Sequence, residues 1–152
     1  TLSFPKDYEQ ELFKLQLKGI TPIIAHPERY REVQLNVDLV KKWIERGFIV
    51  QIDCASILGN FGKKTKNTAI KLVENGFCHL IGSDAHNNKK RNFLLKPSLK
   101  KCVDIIGKQS TEIIINNANK IINGEDCDQY LEFIENRKKS IINKFMSFIR
   151  NS

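Results

Sequence analysis

The sequence predicts an α/β domain in which a parallel sheet, or a barrel, is covered by helices. Three observations carry this. Helical and strand-like stretches alternate, with short connections, from Pro5 to Gly82. The strand-like stretches are apolar on both faces, as strands buried on both sides are. The stretches richest in reactive side chains, "HPERY", "ASILGNFG" and "SDAHNNKKR", each follow such a strand, at the end where α/β folds collect their function.

The elements follow in order. Pro5 and Asp7 open a helical pattern through "YEQELFKLQLKG", with Leu12, Phe13, Leu15 and Gln16 near one face and Gly19 as the stop. "ITPIIA" is the first strand, ended where Pro27 breaks the pairing. Asn36 is placed to cap the helix "VDLVKKWIERG", which Gly47 closes. "FIVQIDCASIL" is the second strand, "GNFG" a turn and "KKTKNTAIKLVENG" a helix ended by Gly76. "FCHLIG" is the third strand. Beyond Pro97 the pattern is helical, first "SLKKCVDIIG", then "STEIIINNANKIING" with Ser110 or Thr111 as its cap. A long basic amphipathic segment closes the chain, with Tyr130, Ile134, Ile141, Phe145 and Phe148 near one face; it is expected to pack on the domain or on a partner subunit. The expected organisation is a domain over residues 1–126 and this helix over 127–152.

Composition narrows the function classes. With 152 residues, 41% hydrophobic and 28% charged, the chain suits one domain with a packed core. The net charge of +8 permits nucleic acid, acidic surfaces or phosphorylated substrates and selects none of them. No interleaving of aromatic and basic residues supports nucleic acid. No apolar window is long enough for a membrane span, and the first residues lack the layout of a signal peptide. Cys54, Cys78, Cys102 and Cys127 form no CxxC pair and read as reduced, buried thiols, which predicts a cytoplasmic protein.

The reactive residues suggest a metal and a phosphate. Asp84 and His86 stand two apart at the end of the third strand, so a continuing strand points both the same way. His26 ends the first strand in the same manner. A carboxylate and two imidazoles converging on one cavity suit a divalent metal such as manganese, iron or zinc. Arg29 and Arg91 lie a few residues beyond these ligands, and a guanidinium there is suited to a phosphate. Glu28 could be a further ligand but is better placed to orient its loop. Ser56, Gly59 and Asn60 form a polar turn that could line the pocket. His79, in the middle of its strand, reads as structural. No cysteine is followed six positions later by an arginine, so a thiolate phosphatase loop is excluded, and no glycine-rich nucleotide loop occurs.

"GITPIIAHPERY", "VQIDCASILGNFGKK", "TAIKLVENG" and "CHLIGSDAHN", in that order, resemble the C-terminal part of the bacterial PHP-domain protein-tyrosine phosphatases of capsule and exopolysaccharide synthesis. The similarity runs from about Pro5 to Gly124. It implies a partial, distorted TIM-like (β/α) barrel and a manganese cluster at its mouth, hydrolysing phosphotyrosine without a covalent cysteine step. It also implies that His26, Asp84 and His86 are metal ligands and that Arg29 and Arg91 hold the phosphate. The implied partner is a phosphotyrosine-bearing protein, such as the tail of a tyrosine kinase. The family's N-terminal His-x-His pair and further ligands have no counterpart here. The chain therefore reads as the last part of such an enzyme, impaired alone, with either a second copy or the missing N-terminal half as a further partner. Two other readings stay open: a non-catalytic module that binds phosphotyrosine or an acidic partner, and a phosphatase for small molecules resembling histidinol phosphate.

Overall fold

The structure is a computed structural model, and it describes residues 2–85 and 93–128. Three short parallel strands form its centre: β1 (Ile23–Ala25), β2 (Ile49–Asp53) and β3 (Leu80–Gly82), in spatial order β1-β2-β3. Parallel neighbours require crossovers, and these are helical. Helix α1 (Tyr8–Leu17) precedes β1. A single 3-10 turn (Pro27–Arg29), α2 (Arg31–Leu35) and α3 (Asp38–Glu45) lead to β2. Helices α4 (Cys54–Leu58) and α5 (Lys63–Glu74) lead to β3. Helices α6 (Leu95–Ile106) and α7 (Lys108–Ile122) follow. The fold is thus α/β with a small parallel sheet; barrel closure is not seen among the described residues.

One face of the sheet is the core. Ile24, Val50 and Ile52 point into a cluster with Val33, Val40, Trp43, Ile44, Leu72, Val73, Cys102 and Ile114. Each such aliphatic side chain contributes about 1.5–3 kcal/mol by leaving water. Trp43 is fully buried, with the rings of Phe4 and Tyr8 edge-on to it at 5.2 and 6.1 Å. Phe4 in turn stacks on Tyr30 at 3.8 Å, and Leu2 bridges to Tyr30, so the N-terminal segment is sewn to the 3-10 turn. The other face is less covered: Ile23 is 43% exposed and Ala25 is exposed, while Ile49 and Gln51 are half-buried.

Several expectations are corrected. Helix α1 buries no residue fully: Tyr8 and Leu12 pack partly against the core, whereas Phe13 and Leu15, expected on the same face as Leu12, are exposed. The second strand stops at Asp53, and "CASIL" is a helix. The reason is local: the Asp53 carboxylate accepts the Ala55 N–H at 2.8 Å and caps α4, which is a stronger local signal than the β-branched run. Helix α2 was not foreseen. The N-cap position of α3 is Val37, and Asn36, one residue earlier, accepts the Asp38 N–H on its side chain at 3.0 Å. Helix α7 begins at Lys108, ahead of Ser110 and Thr111, and the Thr111 hydroxyl donates to the Gly107 carbonyl at 2.9 Å within the first turn. Cys54, Cys78 and Cys102 are buried free thiols, but Cys127 is only half-buried. Among the described residues no helix is long and apolar enough to cross a membrane. The C-terminal segment from residue 129 lies outside the described residues.

His79 is structural in a specific way. Its backbone N–H donates to the Val50 carbonyl at 2.9 Å, and its Nδ1 accepts the Val50 N–H at 3.1 Å, so one residue satisfies both polar groups of a central strand position. Asn117 of α7 donates to the His79 carbonyl at 3.3 Å. Burial pushes the imidazole down to about 4, so the folded chain holds it neutral. Its stabilising contribution is therefore full above the ordinary histidine value and is lost as pH falls towards 4. This loss is worth about 3 kcal/mol. Urea unfolding at pH 7 and pH 5 is expected to show a smaller pH effect for His79→Gln than for the unsubstituted chain. Equal pH effects would contradict this role.

Candidate metal centre

The site is built where the three strands end. Residue 26 is the first after β1. His26 has φ 55° and ψ 42°, a left-handed conformation, and its N–H is anchored to the Gln51 carbonyl at 2.9 Å. Pro27 then starts the 3-10 turn, a favourable use of its fixed φ. At the end of β3, Asp84 has φ 42°. Among the described residues these are the only two non-glycine positions with positive φ. Such strain persists where the surrounding structure imposes it, and it clusters at functional sites. The two strained residues face each other, with His26 Nε2 3.6 Å from Asp84 Oδ1.

Between them stands Asp53, the last residue of β2, whose side chain is 1% exposed. One donor atom from each of His26, Asp53 and Asp84 lies within 4.8 Å of the others. A single ion can reach three donors at that spacing. The donor atoms also suit one. His26 Nδ1 and Asp53 Oδ2 are buried without a hydrogen-bond partner, and one imidazole with two carboxylates is a set taken by manganese, iron or zinc. Burial raises the Asp53 carboxyl above the ordinary aspartate range, opposed by the Ala55 N–H, and the nearby Asp84 charge raises it further. Two acids this close ask for a positive charge.

One is present at the rim. Arg29 Nη1 lies 3.9 Å from Asp53 Oδ2 and 3.7 Å from Asp84 Oδ2. Its guanidinium carbon sits 4.5 Å over the centre of the Phe61 ring. Beneath the rim is Glu28, fully buried, with Oε1 accepting the Asp53 N–H at 3.1 Å. Burial drives its carboxyl up to about 7, opposed in part by the nearby Ser56 hydroxyl, although that hydroxyl does not meet hydrogen-bond geometry. Glu28 thus acts on the backbone of the site, in keeping with an orienting role. Its own carbonyl accepts from Gln34 Nε2 at 3.0 Å, which also reaches Thr65 Oγ1 at 3.3 Å.

The structure therefore brings His26, Asp84 and Arg29 together. Ser56 is buried beside Glu28, Gly59 ends α4 and Asn60 is exposed. His86 and Arg91 lie outside the described residues. Asp53 is the member that sequence reasoning missed, because the second strand was drawn through it. The missed signal is legible afterwards: it is the first charged residue after "FIV", and aspartate is a strong helix N-cap.

The family model described as "Capsular polysaccharide synthesis, CpsB/CapC" matches residues 5–123. The tyrosine-protein phosphatase YwqE of Bacillus subtilis is 37% identical over 129 residues, 82% of this chain and 51% of that protein. The putative tyrosine-protein phosphatase CapC of Staphylococcus aureus is 39% identical over 100 residues, 62% of this chain and 39% of that protein. A crystal structure from work on YwqE of Bacillus subtilis and CpsB of Streptococcus pneumoniae, described as metal-dependent tyrosine phosphatases, superposes with a TM-score of 0.77. It has 36% identity, over 83% of this chain and 51% of that one. The chain spans about half the length of the YwqE relative.

Proposed function

The chain belongs to the capsular polysaccharide synthesis CpsB/CapC family, and from that premise we propose that it forms part of a metal-dependent protein-tyrosine phosphatase. The observation that carries this reading is the pairing of two strained residues, His26 and Asp84, around a buried carboxylate at the strand ends. His26, Asp53 and Asp84 would hold the ion, with manganese preferred and iron or zinc as alternatives. His86 is proposed as a fourth ligand and Arg91 as a second phosphate-binding residue, both by family motif. When bound, a divalent cation supplies positive charge against the phosphoryl oxygens and makes water a better nucleophile near neutral pH.

The chain's own residues do the rest. Arg29 offers a planar fork of donors at the rim and stabilises charge that spreads over the phosphoryl oxygens. Asp53 and Asp84 draw its charge to the rim through two long ion pairs. Glu28 fixes the backbone that carries Asp53. The proposed substrate is phosphotyrosine on a protein of capsule or exopolysaccharide synthesis, such as a kinase tail, in the cytoplasm, where the four free thiols are compatible with a reducing setting.

The sheet is proposed as one part of a distorted TIM-like barrel. Among the described residues β1 has one edge without a strand partner, Ile23 on it is exposed, and a recess of about 400 Å³ lined by Phe4, Tyr8, Leu12, Ala25 and Tyr30 opens beside it. Further strands laid there would cover both. The three ligands among the described residues, with His86 as a proposed fourth, are enough for one ion and too few for a cluster, so the 152-residue chain alone is expected to be impaired.

A metal-free phosphotyrosine-binding module is the weaker reading, because Asp53 and Asp84 beside Arg29 repel a phosphate unless a cation neutralises them. Assay of the isolated chain with Mn²⁺ tests these readings together. We expect weak turnover of p-nitrophenyl phosphate and a phosphotyrosine peptide, less still of histidinol phosphate, and none after chelation. Robust turnover would contradict the impairment. Peptide binding unaffected by chelation would favour the module, and a preference for histidinol phosphate would favour the small-molecule enzyme.

A further inference from the structure

The turn "GNFG" joins α4 to α5 through two glycines of positive φ. Gly59 ends α4 with φ 95° and Gly62 starts α5 with φ 90°, so both bends use left-handed backbone that other residues rarely adopt. The Gly59 N–H returns to the Ala55 and Ser56 carbonyls and the Gly62 N–H to the Gly59 carbonyl, which closes the turn tightly. What the turn carries outward is Phe61, which is half-buried rather than packed in the core cluster. Its ring centre lies 4.5 Å from the Arg29 guanidinium carbon. Carboxylate oxygens of Asp53 and Asp84 also approach the same guanidinium, at 3.9 and 3.7 Å, distances too long for direct hydrogen bonds.

We propose that Phe61 is the positioning residue of the phosphate-binding arginine: its ring clamps the Arg29 guanidinium at the rim of the His26–Asp53–Asp84 cluster and keeps the fork aimed at the incoming phosphoryl group. The physical reason is the long arginine side chain. Two loose ion pairs fix where its charge sits but not how its plane is turned, whereas an aromatic face against a planar cation fixes the plane. A fork that is already oriented loses less freedom when it binds two oxygens. This inference rests on the phosphatase reading of the same site.

The test uses Phe61→Leu, which keeps an apolar side chain of similar size, alongside Phe61→Tyr, which keeps the aromatic face. Two quantities are read in the Mn²⁺- or Mg²⁺-supplemented chain: affinity for inorganic phosphate by calorimetry and, in the Mg²⁺ form, the ring-current shift of the Arg29 side-chain resonances. In Phe61→Leu the ring-current shift should vanish and phosphate should bind about three- to tenfold more weakly, with metal affinity unchanged. Phe61→Tyr should restore both to within about twofold. Phosphate affinity undiminished in Phe61→Leu, or equally lost in Phe61→Tyr, overturns the proposal while leaving the phosphatase reading intact. An unsubstituted chain that takes up metal but no phosphate overturns both.

Discussion

Asp53→Asn is expected to lower Mn²⁺ affinity by at least about 100-fold while leaving the metal-free chain as stable as before, or more so. The two halves of this result come from different atoms. Asparagine keeps the side-chain oxygen that accepts the Ala55 N–H, so the cap of α4 survives. It removes the negative charge that Asp53 brings next to Asp84, a charge that burial already disfavours. Stability without metal should therefore hold. The carboxylate oxygen that lies within 4.8 Å of the His26 and Asp84 donors is replaced by a poor ligand. Substitutions that only disturb the surroundings of a metal commonly cost 10- to 100-fold in affinity, so loss of a ligand should cost at least as much. Calorimetric Mn²⁺ titration and a thermal melt in chelator measure the two halves separately. Unchanged affinity would remove Asp53 from the centre.

The second large effect is expected at Glu28. Glu28→Ala leaves the buried Asp53 N–H without its acceptor and opens a cavity beneath the site. Together these cost about 2–4 kcal/mol, a fall of about 10 °C in Tm for a chain of this size. Metal affinity should fall with it, because the backbone that aims Asp53 is no longer held. Glu28→Gln keeps an oxygen of the same reach and should stay within a few degrees. A role as a direct ligand predicts no such difference for metal, with Glu28→Gln as damaging as Glu28→Ala. The pair of variants therefore separates an orienting residue from a ligand.

Much of the fold was legible because its signals are local. Glycines 47 and 76 stop helices, apolar runs mark strands, and alternation implies parallel pairing. His26 and Asp84 were legible for the same reason, as polar residues at the ends of apolar runs. What was not legible depends on competition between local signals. "QIDCASIL" reads as strand by its β-branched residues, but the Asp53 side chain can satisfy the Ala55 N–H and so tips the segment into a helix. That single choice moves Asp53 from mid-strand to the mouth of the site. Helix α1 failed differently: its apolar residues are periodic, yet Phe13 and Leu15 meet no core, a fact that depends on what lies beside α1 rather than on α1. The Phe61–Arg29 contact joins residues 32 positions apart in sequence (61 − 29 = 32), and no local pattern announces it.

The gathering of a divalent ion by separate strand ends is what everything else depends on, and anomalous diffraction at the manganese edge from crystals grown with Mn²⁺ tests it most directly. The expected map has a peak bonded to an imidazole nitrogen of His26 and to carboxylate oxygens of Asp53 and Asp84, each at about 2.0–2.3 Å. A map with no peak at these residues, or with His26 and Asp84 turned away from each other, would contradict it.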